Sequence, residues 1–74
     1  MIKLLAELLR LTEDEIEDSL AMRDVAIWDS LKHMELVISI EERAKIELTF
    51  EEIVTMRSVG EIKEVLGARG IEWN

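Results

Sequence analysis

Ile27-Trp28-Asp29-Ser30-Leu31-Lys32-His33-Met34-Glu35-Leu36-Val37-Ile38-Ser39-Ile40 is the stretch that decides the fold, because here an irregular acidic run gives way to the most strongly patterned helix of the chain. Asp29 suits the N-cap: a carboxylate can accept from the free N–H groups of the first turn, and its charge complements the positive end of the helix dipole. Ser30 then falls on the first helical residue, where a side chain projects outward from the helix end. With Ser30 as zero and about 100° per residue, one apolar arc at roughly 240° to 340° holds Leu36, Val37, Ile40 and Ala44. A second group, Leu31, Met34 and Ile38, lies at about 40° to 100°, fringed by Glu35, Glu41 and Glu42. The first arc faces a core. The second is an apolar patch with a carboxylate border, the composition of a docking surface. Ser30 stands on the rim between the two.

The remaining chain reads as further short helices. Leu5 and Leu9 share a helical face with Ile2, and Leu4, Leu8 and Leu11 share the adjoining one, so the first helix is expected over 2–11 and touches more than one neighbour. Thr12 with Glu15 makes a capping box and a short acidic turn. The turn lacks the oxygen spacing of a calcium loop, so no metal site is expected there. From 12 to 28 periodicity fails. Leu20, Met22, Val25 and Ile27 point to a long loop pinned down by its own apolar side chains, and a loop of that length in a small domain is functional or well packed. The second helix is expected over 30–45, followed by an extended connector over 46–48. Thr49 with Glu52 starts a short third helix over 50–56, with Phe50, Ile53, Val54 and Met56 as packing residues, and Ser58 with Glu61 starts a fourth over 59–69. Val59, Ile62, Val65 and Leu66 form its inward stripe, Gly67 and Gly70 terminate it, and the tail from Ile71 to Asn74 is expected to fray unless Trp73 folds back.

Composition sets the outer bounds. The chain has 74 residues, no proline and three late glycines, which favours one small helical bundle. A net charge of −8 repels nucleic-acid phosphates and attracts basic enzyme surfaces. Without cysteine there is no disulfide or thiolate metal site, in accord with a reducing cytoplasm. No apolar run approaches the about 20 residues of a membrane span, and the N-terminus lacks the cleavage site of a signal peptide. The strong charge and small patch favour a monomer.

Asp29-Ser30-Leu31, followed by Met34-Glu35-Leu36-Val37-Ile38, Glu41-Glu42, Leu48-Thr49-Phe50-Glu51-Glu52-Ile53 and Ser58-Val59-Gly60-Glu61-Ile62, resembles the acyl carrier proteins and their peptidyl-carrier relatives. The resemblance implies an all-α fold, a small four-helix bundle with three main helices, a short third one and a long loop after the first. It implies 4′-phosphopantetheine, donated by coenzyme A, on Ser30 within the motif of Asp29 and Leu31. The thiol of that arm would hold acyl or aminoacyl cargo in fatty-acid, polyketide or related biosynthesis. The implied partners are a phosphopantetheinyl transferase and acyl-loading and acyl-processing enzymes, whose basic patches would meet Leu31, Met34, Glu35, Ile38, Glu41 and Glu42. The chain begins and ends close to the expected domain edges, as a free-standing carrier would.

Three departures stand out: Lys32 where the family often has an acid, Ala44 where it often has a bulky apolar residue, and Trp28 in place of a small residue. The alternative to a carrier is a helical interaction module that uses the Met34–Ile38 patch without a prosthetic group. A Ser30–His33 hydrolase is the weaker rival. His33 falls towards the core arc, no carboxylate is evident to orient it, and no Gly-x-Ser-x-Gly elbow supplies an oxyanion hole.

Overall fold

A computed structural model describes residues 1–73 and places four α-helices: α1 (Ile2–Leu9), α2 (Ser30–Ala44), α3 (Phe50–Thr55) and α4 (Val59–Ala68). Asn74, part of the expected tail, lies outside the described residues. Two single 3-10 turns, Glu13–Glu15 and Met22–Asp24, interrupt the long loop between α1 and α2. The described residues form no β-strand, only one isolated bridge between Ala21 and Ser58. The radius of gyration is 11.1 Å, which matches the roughly 11 Å expected of a compact chain of this length.

One apolar face of each long helix builds the core. Leu5 and Leu9 of α1, Leu36, Val37 and Ile40 of α2, and Val59, Ile62 and Leu66 of α4 are each at most 1% exposed. Burying a Leu or Ile side chain is worth about 1.5–3 kcal/mol, so these few residues supply most of what holds so short a chain together. Ala44 is half-buried at the far end of α2.

The helix ends explain where the expected boundaries shift. α1 and α2 stop at Leu9 and Ala44, short of the predicted 11 and 45, because Arg10 (φ 58°) and Lys45 (φ 57°) turn left-handed. The next residues then close the turn: Leu11 N–H donates to Ala6 O at 2.9 Å and Ile46 N–H to Glu41 O at 3.1 Å. This is the Schellman pattern usually built on glycine. Here a cation occupies each position, favoured by the negative end of the helix. α3 ends at Thr55 and α4 at Ala68, each one residue before the predicted boundary. Only Gly70 (φ 75°) acts as a terminator of α4, with Ile71 N–H donating to Leu66 O at 2.9 Å; Gly67 lies inside the helix.

Each of the three predicted capping boxes makes at least one of its bonds. Thr12 N–H donates to the Glu15 carboxylate at 2.8 Å, Glu52 N–H to the Thr49 hydroxyl at 3.1 Å, and Glu61 N–H to the Ser58 hydroxyl at 3.2 Å. The loop is tied to the α3–α4 junction by Met22 N–H to Arg57 O and Val59 N–H to Leu20 O, both 2.9 Å. Gly60 makes this approach possible: its N–H donates to Asp18 O at 2.9 Å, and a Cβ there would stand 3.1 Å from that oxygen. Ile16 and Trp28 are the loop's buried anchors, while Leu20, Met22 and Val25 pack partly; Ile27, expected to pin the loop, is 37% exposed.

The tail does not fray as expected over its described part. Ile71 and Trp73 pack against the core, and Lys63 Nζ lies 5.1 Å from the centre of the Trp73 ring while pairing with Asp18 at 2.6 Å.

Candidate functional site: the N-terminus of the second helix

Among the described residues three α-helix starts carry a hydroxyl side chain, and two of them use it up. Thr49 and Ser58 are themselves the N-caps of α3 and α4, so their hydroxyls are committed to backbone N–H groups. At α2 the cap is Asp29, whose carboxylate accepts from Lys32 N–H at 2.9 Å. Ser30 is thereby moved one residue into the helix and its side chain is exposed. Its hydroxyl makes no hydrogen bond among the described residues. The result is a spare hydroxyl on a rigid corner, at the positive end of a helix of 15 residues, where a phosphate is electrostatically welcome.

Beside Ser30 runs an open groove of about 310 Å³ between α2 and α3, lined by Met22, His33, Met34, Phe50, Ile53, Val54 and Arg57 as well as the serine. Leu31 is 72% exposed, Ile38 52% and Met34 44%, so the second apolar arc of α2 is uncovered while the first is buried. Phe50 and Val54, read from sequence as packing residues, are 77% and 41% exposed. The reason is positional. Phe50 is the first residue of α3 after the cap Thr49, as Ser30 is in α2, and a side chain there projects away from the bundle. Only Met56 and, in part, Ile53 reach the core from this segment. The apolar surface beside Ser30 therefore spans two helices, and the cap spacing at Thr49 was the signal for its second half.

The carboxylates divide into two kinds. Glu35 and Glu42 are exposed, and Lys32 pairs with Glu35 at 3.1 Å, so the lysine that departs from the family pattern screens one of the expected acids. Glu41 does not belong to the exposed border: it is half-buried, and its carboxylate accepts Leu48 N–H at 2.8 Å, holding the α2–α3 connector. Below α3, Glu52 receives two bonds from Arg69 at 2.6 and 2.9 Å. That guanidinium, with the backbone N–H of Thr49 second, holds the Glu52 carboxyl down at about 2.

His33 is buried and both of its nitrogens are engaged. Trp28 Nε1–H donates to Nδ1 at 3.1 Å, which makes Nδ1 an acceptor and assigns the proton to Nε2, 3.0 Å from the carbonyl oxygen of Ile53. With both nitrogens occupied, His33 is no base for Ser30, and the serine-hydrolase arrangement is absent.

The family model for the phosphopantetheine attachment site matches residues 1–66. This chain belongs to that family, the phosphopantetheine-binding carrier proteins, whose members are carriers and not catalysts. The group such a carrier holds is 4′-phosphopantetheine. The fold is also that of a solved structure described as a proposed acyl carrier protein from Mycobacterium tuberculosis: TM-score 0.78, 22% identity, covering 90% of this chain and 89% of that one. A comparison with curated proteins finds no match. The residues at the start of α2 fit a phosphodiester-linked arm: a free, exposed hydroxyl, a helix N-terminus behind it, and open space in front.

Proposed function

We propose that this chain carries acyl or aminoacyl intermediates as thioesters on 4′-phosphopantetheine attached to Ser30, passing them between enzymes of fatty-acid, polyketide or related biosynthesis. The single observation behind the choice of residue is that Asp29 takes the cap of α2 and leaves the Ser30 hydroxyl exposed and unbonded among the described residues, within the stretch matched by the family model. Installation joins Ser30 Oγ to the pantetheine-bearing phosphorus of coenzyme A, breaks the pyrophosphate P–O bond so that adenosine 3′,5′-bisphosphate leaves, and passes the hydroxyl proton to a base of the transferase. The arm supplies a terminal thiol that holds the cargo. The chain's own residues do the rest. Asp29 fixes the helix start, the amide dipoles of the first turn favour the phosphate, and Leu31, Met34, Ile38 and Phe50 offer apolar contact to partner enzymes, with Glu35 and Glu42 meeting their basic side chains.

No helix among the described residues is long and apolar enough to cross a membrane. The reading has the chain work in the cytoplasm as a monomer that meets its enzymes in turn, its net charge of −8 keeping copies apart.

The test is to incubate the purified chain with coenzyme A and a permissive phosphopantetheinyl transferase, and to take intact masses of wild type and Ser30→Ala. The expected result is one added phosphopantetheine on the wild type and none on the variant. No addition to the folded wild type with several transferases would favour the interaction module without an arm, and addition to Ser30→Ala would move the attachment elsewhere.

A further inference from the structure

His33 from α2 and Ile53 from α3 both line the groove beside Ser30. The two are joined by the hydrogen bond from His33 Nε2 to the Ile53 carbonyl at 3.0 Å, and His33 is held from the other side by the Trp28 indole at 3.1 Å. Trp28 is 2% exposed and His33 7%, so the indole–imidazole bond is buried, while the bond to the Ile53 carbonyl is part-buried beside the groove. Leu36, Ile40, Met56, Val59 and Ile62 form the apolar interior, none more than 1% exposed.

An alkyl chain that enters the bundle from Ser30 between α2 and α3 has to part His33 from Ile53. In a seam of purely apolar side chains that motion exchanges one apolar contact for another. Here it breaks the bond between the imidazole and the carbonyl, and it displaces the ring that satisfies the buried indole N–H. Trp28 also fills interior volume behind the histidine, so the seam offers neither a cheap opening nor vacant space. The groove in front of it is open, with a volume of about 310 Å³.

We propose that the Trp28–His33–Ile53 bonds bar cargo from the bundle interior, making Trp28 and His33 specificity-determining residues that suit this carrier to short acyl or aminoacyl groups held outside the core. The inference rests on the carrier reading with Ser30 as the attachment residue. Long alkyl cargo would lie against solvent on the Leu31, Met34 and Phe50 surface, with no gain in stability from its length.

The experiment loads the full chain with acetyl, octanoyl and dodecanoyl phosphopantetheine from the corresponding acyl-coenzyme A, checks loading by intact mass, and records side-chain methyl NMR spectra. In the wild type the methyl shifts of Leu36, Val59 and Ile62 are expected to coincide for all three cargoes, while those of Met34 and Val54 move. In His33→Ala the core methyls are expected to shift progressively with chain length; Trp28→Phe, which keeps a ring but removes the donor, serves where that variant does not fold. Core methyls of the wild type that move with chain length overturn the inference, as do loaded variants that keep the wild-type pattern. A folded chain that takes no arm overturns the carrier reading and this inference with it, and the masses tell the two failures apart.

Discussion

The indole of Trp28 and the imidazole of His33 lie with ring centroids 6.2 Å apart, tilted 32°, joined by a hydrogen bond from Nε1–H to Nδ1 of 3.1 Å. One residue closes the long loop and the other stands on the first turn of α2, so the bond sets how the loop delivers the chain to Ser30. Trp28→Phe leaves most of the apolar burial in place but leaves a buried Nδ1 without its donor, an expected cost of about 1–3 kcal/mol. Phe50→Ala, by contrast, removes an aromatic that is 77% exposed, and is expected to change stability by at most about 0.5 kcal/mol. Urea unfolding of both variants checks the contrast, and equal costs for the two would contradict it.

Ser30→Ala is expected to abolish modification while leaving the unfolding midpoint within about 0.5 kcal/mol of wild type, because the hydroxyl is exposed and Asp29 bears the cap. Asp29→Ala is expected to do the reverse in part, lowering stability by about 1 kcal/mol through the lost cap. Intact mass and thermal melts on the same samples separate the chemical role from the structural one.

Glu41 and Glu42 are adjacent in sequence and differ in what they touch. Glu41→Ala deprives Leu48 N–H of its acceptor and is expected to cost about 1–2 kcal/mol, with faster amide exchange at Leu48. Glu41→Gln, which retains a side-chain oxygen, should recover much of that. Glu42→Ala should leave the amide untouched and act only on encounters with basic partners, in a salt-dependent way.

The Glu52–Arg69 pair predicts a pH dependence. The ordinary carboxyl value of 4.5 falls to about 2 in the folded protein, first through Arg69 and then through the Thr49 N–H. A carboxyl with a depressed folded value contributes its stability fully above its unfolded value and loses it as pH falls towards the folded one. Glu52→Gln is therefore expected to differ most from wild type near neutral pH and to converge with it between pH 4.5 and about 2. Thermal melts across that range check the sign: a gap that widens on acidification would contradict it.

Lys45, like Arg10, and Gly67 are not the residues that stability alone would place at their backbone positions. Lys45 adopts φ 57°, a conformation that costs an L-residue about 1 kcal/mol relative to glycine. Gly67 sits inside α4 with open space where a Cβ would stand. Lys45→Gly and Gly67→Ala are each expected to raise stability by about 0.5–1 kcal/mol, and, being on different helices, to add in the double variant. Calorimetric melting temperatures of the two singles and the double would show it.

What the amino-acid sequence determined by itself is what short-range physics controls. The caps at Thr12, Asp29, Thr49 and Ser58, the buried and bare faces of α2, and the standing of Ser30 on a helix corner all follow from residues within one or two turns of each other, where helix geometry leaves little choice. The tertiary structure decided what depends on which surface meets which. It left Phe50 and Val54 bare because α3 and its C-cap pack through Ile53 and Met56, and it drew Glu41 inward to the Leu48 amide. It brought Arg69 to Glu52, 17 positions away, and closed the seam between His33 and the Ile53 carbonyl, 20 positions away. It also ended α1 and α2 on left-handed Arg10 and Lys45, where no glycine announced the stop. A helix wheel says that a side chain lies on a face. Whether a neighbour covers that face, or a buried nitrogen finds its partner there, is settled only when distant segments pack.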